Sequence, residues 1–316
     1  MTPSRRAEPP QAQLTAAAPE ERRRLRMTHA ARRVKFFGLR GLAAALEPLA
    51  RHGRAPASGH AGVLMYHRVA PEVPGLERLT WNVTPDRFRD QLAGLLRLGY
   101  QAWPLDKMLK TIAEGRPLPP RVFIVTFDDG YANNHTYAWP ILRQLQVPAT
   151  VFLATHYIDS NEPFPFDDWL DKRAATAHSD RWRPLTRAQI REMLGDPLIA
   201  FGSHTHSHLD FRGEPVTFSG DLANSLAYLR SEFGIAAPSF TFPFGLLDAQ
   251  MVEIVRASGV RCALTSAPTL VMAGDRPFEL GRFHVDGFET PKTLSLKLDG
   301  WYGWLKQGSR PRSRAS

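Results

Sequence analysis

Cysteine is almost missing from this chain. The single thiol, Cys262, permits no internal disulfide and no cysteine-rich metal site, which suits a reducing compartment. Long apolar runs are missing too: none reaches the roughly 18–20 residues that span a bilayer, so an integral membrane protein is not expected. Acidic residues are scarce at the ends. Between Glu20 and Arg40 lie Arg22, Arg23, Arg24, Arg26, Arg32, Arg33, Lys35 and Arg40 against only Glu20 and Glu21, and the tail adds Arg310, Arg312 and Arg314. The net charge of +9 therefore belongs to the ends of the 316-residue chain, with a middle close to neutral. No base-reading module accompanies that charge, so no nucleic-acid role is expected. Hydrophobic residues at 43% and charged residues at 22% are ordinary for a soluble globular protein.

Residues 1–58 read as an extension, rich in Ala, Pro and Gln at first and helical in pattern from Glu20 to Arg51. Val34, Phe37, Leu42, Ala45, Leu46 and Leu49 share one stripe opposite the arginines. Three uses compete: a solvated helix packed on the main domain, a helix lying on an anionic membrane surface, and an export signal. Arg32-Arg33 followed by Phe36-Phe37 and Leu-Ala-rich sequence has a twin-arginine look, but Arg40 and Glu47 interrupt its would-be hydrophobic region. A cytoplasmic location, or a peripheral one on the inner membrane face through residues 20–51, is expected over export. His52–His60 reads as a linker, 59–305 as one folded domain and 306–316 as a disordered basic tail.

The domain is organised around Val122–Tyr131, V-F-I-V-T-F-D-D-G-Y. A short apolar run without polar alternation reads as a strand buried on both faces, the kind found in parallel α/β sheets. Asp128 and Asp129 then sit at the strand's C-terminal end, where α/β folds place their ligands. Adjacent carboxylates repel unless a cation lies between them or one stays protonated. A β-hairpin is the competing reading, because Asp-Gly is a strong turn signal, although Tyr131–His135 shows no apolar alternation.

Further strands are expected at Gly62–Val69, Ala149–Ala154, Leu198–Phe201, Ser239–Phe242, Val260–Leu264 and Phe283–Val285. Helices are expected after the Thr84-Pro85 start, at Tyr137–Gln146, Thr186–Leu194 and Leu222–Phe233, after Asp248, and at Thr290–Trp304. Asn161–Arg183 lacks periodicity and reads as an insertion that roofs a cleft. Strands alternating with helices in this way argue for one closed or nearly closed α/β barrel.

Ser203–His208, S-H-T-H-S-H, is the second chemical signal. In helical geometry His204 and His208 share a face, and in extended geometry all three histidines do. With Asp129, two imidazoles make a three-ligand site that leaves positions open for water and a substrate carbonyl. A neighbouring carboxylate outside the ligand set is then free to take a proton, which separates the tasks of Asp128 and Asp129.

Thr126–Gly130 (T-F-D-D-G), His204–His208 (H-T-H-S-H) and Phe240–Gly245 (F-T-F-P-F-G) together resemble the first three motifs of polysaccharide deacetylases, the family-four carbohydrate esterases with the NodB-homology domain. The resemblance spans roughly residues 61–300. It implies a distorted (β/α)7 barrel and metal-dependent removal of N-acetyl, sometimes O-acetyl, groups from sugars. By resemblance Asp128 is the general base and Asp129, His204 and His208 are the metal ligands, with Zn2+ the usual ion. Co2+, Ni2+ and Fe2+ also suit such a donor set. His206 falls where the family often has an aromatic and is left out of the ligands. Leu-Met-Tyr-His-Arg-Val around His67 resembles the first strand of a circularly permuted subgroup acting on poly-N-acetylglucosamine, which implies His67 as general acid, with His284 a weaker claimant. Thr241 stands where the family commonly has an arginine; Arg282 is either its replacement or an ordinary surface or salt-bridge residue. Gly130, Tyr131, Pro243, Phe244 and Gly245 are expected around the substrate or its oxyanion. Tyr131, Phe244, Trp169 and Trp301 are candidate sugar platforms. An acetylated glycan, either polymeric or lipid-linked, is the expected partner. Two rival functions are a 2-His-1-carboxylate iron oxygenase and a non-catalytic glycan-binding relative that has lost the arginine and the acid.

Overall fold

β5 (Val122–Phe127) is buried along its whole length, and every ladder it makes is parallel. One edge pairs with β1 (His60–Tyr66). The other is shared by β4 (Gln101–Ala102), beside Val122–Phe123, and β6 (Ala149–Leu153), beside Val125–Phe127. Parallel neighbours on both edges rule out the hairpin reading of Asp129-Gly130. Alternate side chains of β1 and β5 enter different cores: Leu64, Tyr66, Phe123, Val125 and Phe127 join one cluster, Ala61, Val63, Val122 and Ile124 another. That double burial is why these strands carry no polar alternation.

The computed structural model describes residues 59–74, 79–167 and 179–300. The expectations for the basic extension 1–58, the tail 306–316, Trp169 and Trp301 lie outside them. From β6 the sheet continues in parallel through β7 (Ile199–Ser203), β8 (Phe240–Thr241) and β9 (Ala263–Leu264). At the other end β1 takes the antiparallel β10 (Val271–Met272) and the parallel β11 (Phe283–His284). The ladder does not close as a continuous barrel. The stretch from Leu280 to His284 nevertheless touches both ends, because Leu280 bridges Leu264 while β11 pairs β1.

Seven α-helices are described: α1 (Pro85–Arg97), α2 (Leu105–Ala113), α3 (Trp139–Leu145), α4 (Arg187–Leu194), α5 (Pro215–Phe233), α6 (Ala249–Ala257) and α7 (Pro291–Leu298). Their starts follow cap chemistry. The side chains of Thr84, Thr186, Asp248 and Thr290 each accept from the backbone N–H three residues on, satisfying a donor that the first turn leaves open. Among the described residues no helix is long and apolar enough to cross a membrane.

The structure corrects three expectations. The first strand stops at Tyr66 instead of running to Val69, because the chain changes partner at His67. The N–H of Asp128 still bonds the Tyr66 carbonyl, but Arg68 N–H bonds Trp81 O and Arg68–Val69 forms β2 (Arg68–Val69) against β3 (Asn82–Val83). α5 begins at Pro215, not Leu222. Its buried stripe runs Phe218, Leu222, Ser225 and Leu229, and a serine in the stripe disguises it; Ser225 Oγ lies 2.8 Å from Ser203 Oγ. α2 has no counterpart in the sequence reading.

α1 meets α7 where Gly94 faces Pro291; a Cβ at 94 would lie 2.1 Å from Pro291 Cγ. Helix propensity favours Gly94→Ala by about 1 kcal/mol, whereas overpacking costs about 1–3 kcal/mol. The variant is expected to melt below wild type in thermal unfolding; a raised midpoint would show that the helices separate freely.

Candidate metal centre and catalytic site

β6 lies between β5 and β7, so the C-terminal ends of the two outer strands deliver Asp128-Asp129 and His204–His208 to one place. One oxygen of Asp129 and one nitrogen each of His204 and His208 lie within 4.8 Å of one another, all buried. Asp129 Oδ1 is 3.4 Å from His204 Nε2 and 3.2 Å from His208 Nε2, and the two Nε2 atoms are 3.2 Å apart.

Neither a helix nor a strand brings the two imidazoles together. Residues 204–208 form a turn with left-handed backbone at Thr205 (φ 66°) and His208 (φ 55°), and Asp129 opposite them is left-handed as well (φ 72°). Such conformations cost non-glycine residues energy and gather at functional sites. Local bonds hold the turn: His208 N–H donates to Thr205 Oγ1 at 3.0 Å, and Asp221 of α5 accepts from the N–H groups of His206 and Ser207 at 2.6 and 3.0 Å. His206 turns away, its Nδ1 2.9 Å from Thr155 Oγ1.

His204 Nδ1 lies 2.9 Å from the Thr241 carbonyl, which can only accept, and 2.6 Å from the Thr241 hydroxyl, which can accept or donate; with the Nδ1 proton given to that carbonyl, Nε2 presents a lone pair. That lone pair faces a carboxylate oxygen and a second imidazole nitrogen, a convergence of acceptors that a divalent cation relieves. Burial opposes ionisation of Asp129; His204 and His208 hold it well below the usual carboxylate range only by pointing protons towards it, the place a divalent ion would otherwise take. Burial works against protonating either histidine; Asp128 and Asp129 overcome it at His204, which is raised, and not at His208, which is lowered. The donors present therefore fit a divalent cation.

Asp128 has a different partner. Arg282 reaches it in a two-pronged pair, Nη to Oδ at 2.7 Å on each side, and gives its Nε–H to Thr265 O at 3.0 Å. Both side chains are buried, Arg282 1% exposed and Asp128 3%. Burial would push Asp128 up, yet the Arg282 guanidinium holds it below its ordinary value. Arg282 is thus no surface residue, and it gives Asp128 the guanidinium that Thr241 does not supply.

His67 follows β1 and sits beside both aspartates, whose charges act on it; burial nonetheless lowers it to about 4. Its ring stacks on Trp81 at 5.5 Å and lies 5.8 Å from His284, which packs edge-on to Trp81 at 4.3 Å. Gly130 is needed as glycine: its φ is +83°, and a Cβ would stand 2.6 Å from Leu153 Cδ2. Pro243–Gly245 forms a tight turn after β8 that presents Phe244, 53% exposed, with its ring 4.6 Å from that of His208. Tyr131 is a correction. It is buried, its hydroxyl bonded to Asp167 and Arg68 at 2.7 Å each, and it cannot serve as a sugar platform. The Arg68–Tyr131–Asp167 group and Phe166, which stacks on His208, were not foreseen; Arg68 directly after His67 was the one available signal.

A family model described as polysaccharide deacetylase matches residues 115–263, a span holding Asp128, Asp129, His204 and His208 in the order found here. Over that span, just under half of the chain, the sequence is similar to polysaccharide deacetylases. It is 25% identical over 259 residues to the poly-β-1,6-N-acetyl-D-glucosamine N-deacetylase of Staphylococcus epidermidis, covering 75% of this chain and 83% of that one. It is 30% identical over 148 residues to the enzyme of the same name from Escherichia coli K12, where it spans only 20% of the relative's length. The structure of IcaB from Ammonifex degensii superposes with a TM-score of 0.65 at 23% identity, covering 78% of this chain and 99% of that one. That likeness shows the α/β fold. His67 and Arg282 fall outside the family-model match, on either side of it.

Because Asp128 titrates below its usual range when folded, its ionised form stabilises the protein. The contribution is fully present above the unfolded-state value of ~4 and is lost as pH falls through the folded value. In urea unfolding between pH 5 and 3, wild type is expected to lose more stability than Asp128→Asn; parallel profiles would contradict the Arg282 pairing.

Proposed function

We propose that the protein is a metal-dependent hydrolase that removes N-acetyl groups from a polymer of N-acetylglucosamine. The observation that carries this reading is the division of labour between adjacent carboxylates: Asp129 meets two imidazoles while Asp128 is held by Arg282. The family-model match and the printed names of the relatives support the substrate class.

Asp129, His204 and His208 would hold the ion, and zinc suits an open site of two imidazoles and a carboxylate. When bound, the ion supplies a Lewis acid for the acetamide oxygen and acidifies a water. Asp128 takes the proton of the attacking water. The two-pronged bond of Arg282 uses one lone pair on each Asp128 oxygen and leaves others free. His67, neutral at rest because burial lowers it to about 4, takes up a proton during turnover and gives it to the departing amine. Acetate and the protonated amine leave together, which accounts for both protons of the water with no net gain or loss by the protein. The Gly130 N–H already donates to the Asp128 carbonyl at 2.9 Å, so Tyr131 N–H is the backbone donor assigned to the developing oxyanion. Phe244 offers its exposed ring to the sugar.

Two rival functions lose support. An iron oxygenase with this ligand trio usually sits in a strand-rich jelly roll, not a parallel sheet with helices between its strands. A glycan-binding relative without turnover was suggested by Thr241 in place of arginine, and Arg282 fills that role at Asp128.

Acetate release from β-1,6-linked N-acetylglucosamine oligomers is expected to proceed without oxygen, to stop on chelation and to return with added metal. Asp128→Asn and His67→Ala are each expected to lower kcat by about 10²–10⁴-fold. Chelator-insensitive release, or full activity in both variants, would sink the reading.

The basic stretch 20–51 is proposed to hold the enzyme against an anionic membrane surface, since it pairs arginines with Phe36, Phe37 and Leu39. Full-length protein is expected to co-sediment with anionic vesicles at low salt and to leave them when Arg22, Arg23, Arg24 and Arg26 are replaced by Glu. Unchanged binding by that variant would remove the proposal.

A further inference from the structure

The two candidate ligand histidines are held in different ways. Metal-binding imidazoles almost always give their second N–H to an acceptor, which sets the tautomer and the ring plane. His204 does so through Thr241 O. His208 does not: its Nδ1 is buried and meets no hydrogen-bond partner among the described residues. Its ring is instead covered by Phe166, with centroids 3.8 Å apart and planes 27° from parallel, while Phe244 approaches edge-on at 4.6 Å and 70°.

We propose that Phe166 is a positioning residue for His208, a flat aromatic face that does by packing what a hydrogen-bond acceptor does for His204. The inference rests on the reading of Asp129, His204 and His208 as metal ligands. Phe166 is itself held from both sides along the chain. Phe164 stacks on it at 5.0 Å and 28°, and Phe164 in turn packs edge-on to Tyr131 at 4.8 Å. Asp167, the next residue, is buried in an ion pair with Arg68 and accepts the Tyr131 hydroxyl at 2.7 Å. Arg68 also bonds the Thr80 carbonyl, so the anchor extends to the segment leading into β3. A buried, paired charge beside Phe166 leaves its ring little freedom to slide, since moving Asp167 strands both charges. Residues 161–167 thus reach a fixed point at Phe166, and that point lies on a candidate metal ligand. The same anchor joins the two sides of the site, because Arg68 adjoins His67.

The test reads metal affinity directly, by competition for Co2+ against a chromophoric chelator, with the visible spectrum of the Co2+-loaded protein as second readout. Phe166→Ala is expected to weaken Co2+ binding by about 10–100-fold, the range seen when a ligand's outer partner is lost, and Phe166→Tyr to keep wild-type affinity. The Co2+ spectrum of Phe166→Ala is expected to shift as the His208 ring loses its fixed plane. Circular dichroism of the metal-free proteins checks folding. Should Phe166→Ala fail to fold, Phe166→Leu, which keeps the bulk without the flat face, carries the same expectation of weakened binding. Wild-type affinity and spectrum in the folded variant overturn the inference alone. Failure of wild type to bind Co2+ overturns the ligand reading, and this inference with it.

Discussion

Asp128 and Asp129 are adjacent, and each is less than a tenth exposed. Two such carboxylates cannot both stay ionised in a protein interior unless each finds its own positive partner, since desolvation and mutual repulsion both favour the acid. The left-handed backbone at Asp129 turns the two side chains to different neighbours. One meets the Arg282 guanidinium and the other meets His204 and His208. Every other feature of the site follows from supplying these partners from elsewhere in the chain.

The sheet is what supplies them. Parallel pairing puts all strand C-termini at one end, so β5 and β7, separated only by β6, present carboxylates and imidazoles side by side. Arg282 arrives by a different route. It lies between Leu280, which bridges β9, and β11, which pairs β1, on the stretch that spans the gap between the sheet's ends. The irregular part of the sheet is therefore where the partner of Asp128 enters. His67 enters by a second irregularity, the change of partner between β1 and β2. Residues inside a regular ladder have their backbone committed to neighbours; those at the breaks are free to aim a side chain into the site.

Much of this was legible before any coordinates. The unbroken apolar run of β5 announced a strand buried on both faces, and its abrupt end in two aspartates located the site. Thr84, Thr186, Asp248 and Thr290 announced helix starts because capping is a local rule. The convergence of Asp129 with His204 and His208 was expected from residue type and motif order. What could not be read was set by distant packing. The stacking face of Tyr131 is lost to Arg68 and Asp167, each more than 30 positions away. Whether Arg282 was a surface cation or the partner of Asp128 depended on a contact across 154 positions. Ser225 hid the start of α5 because its burial is satisfied by Ser203, a partner no periodicity reveals. Phe166 lay in a stretch without a pattern, and its seat on His208 depends on an ion pair between residues 68 and 167.

All of the chemistry assigned here presupposes that one cation sits among Asp129, His204 and His208. Metal stoichiometry of the purified protein, combined with X-ray absorption at the metal edge, tests this most directly. The account predicts one divalent ion per chain with two imidazoles in its shell, and loss of that ion in His204→Ala. A chain that binds no ion tightly, or an ion retained in His204→Ala with an unchanged shell, would contradict it.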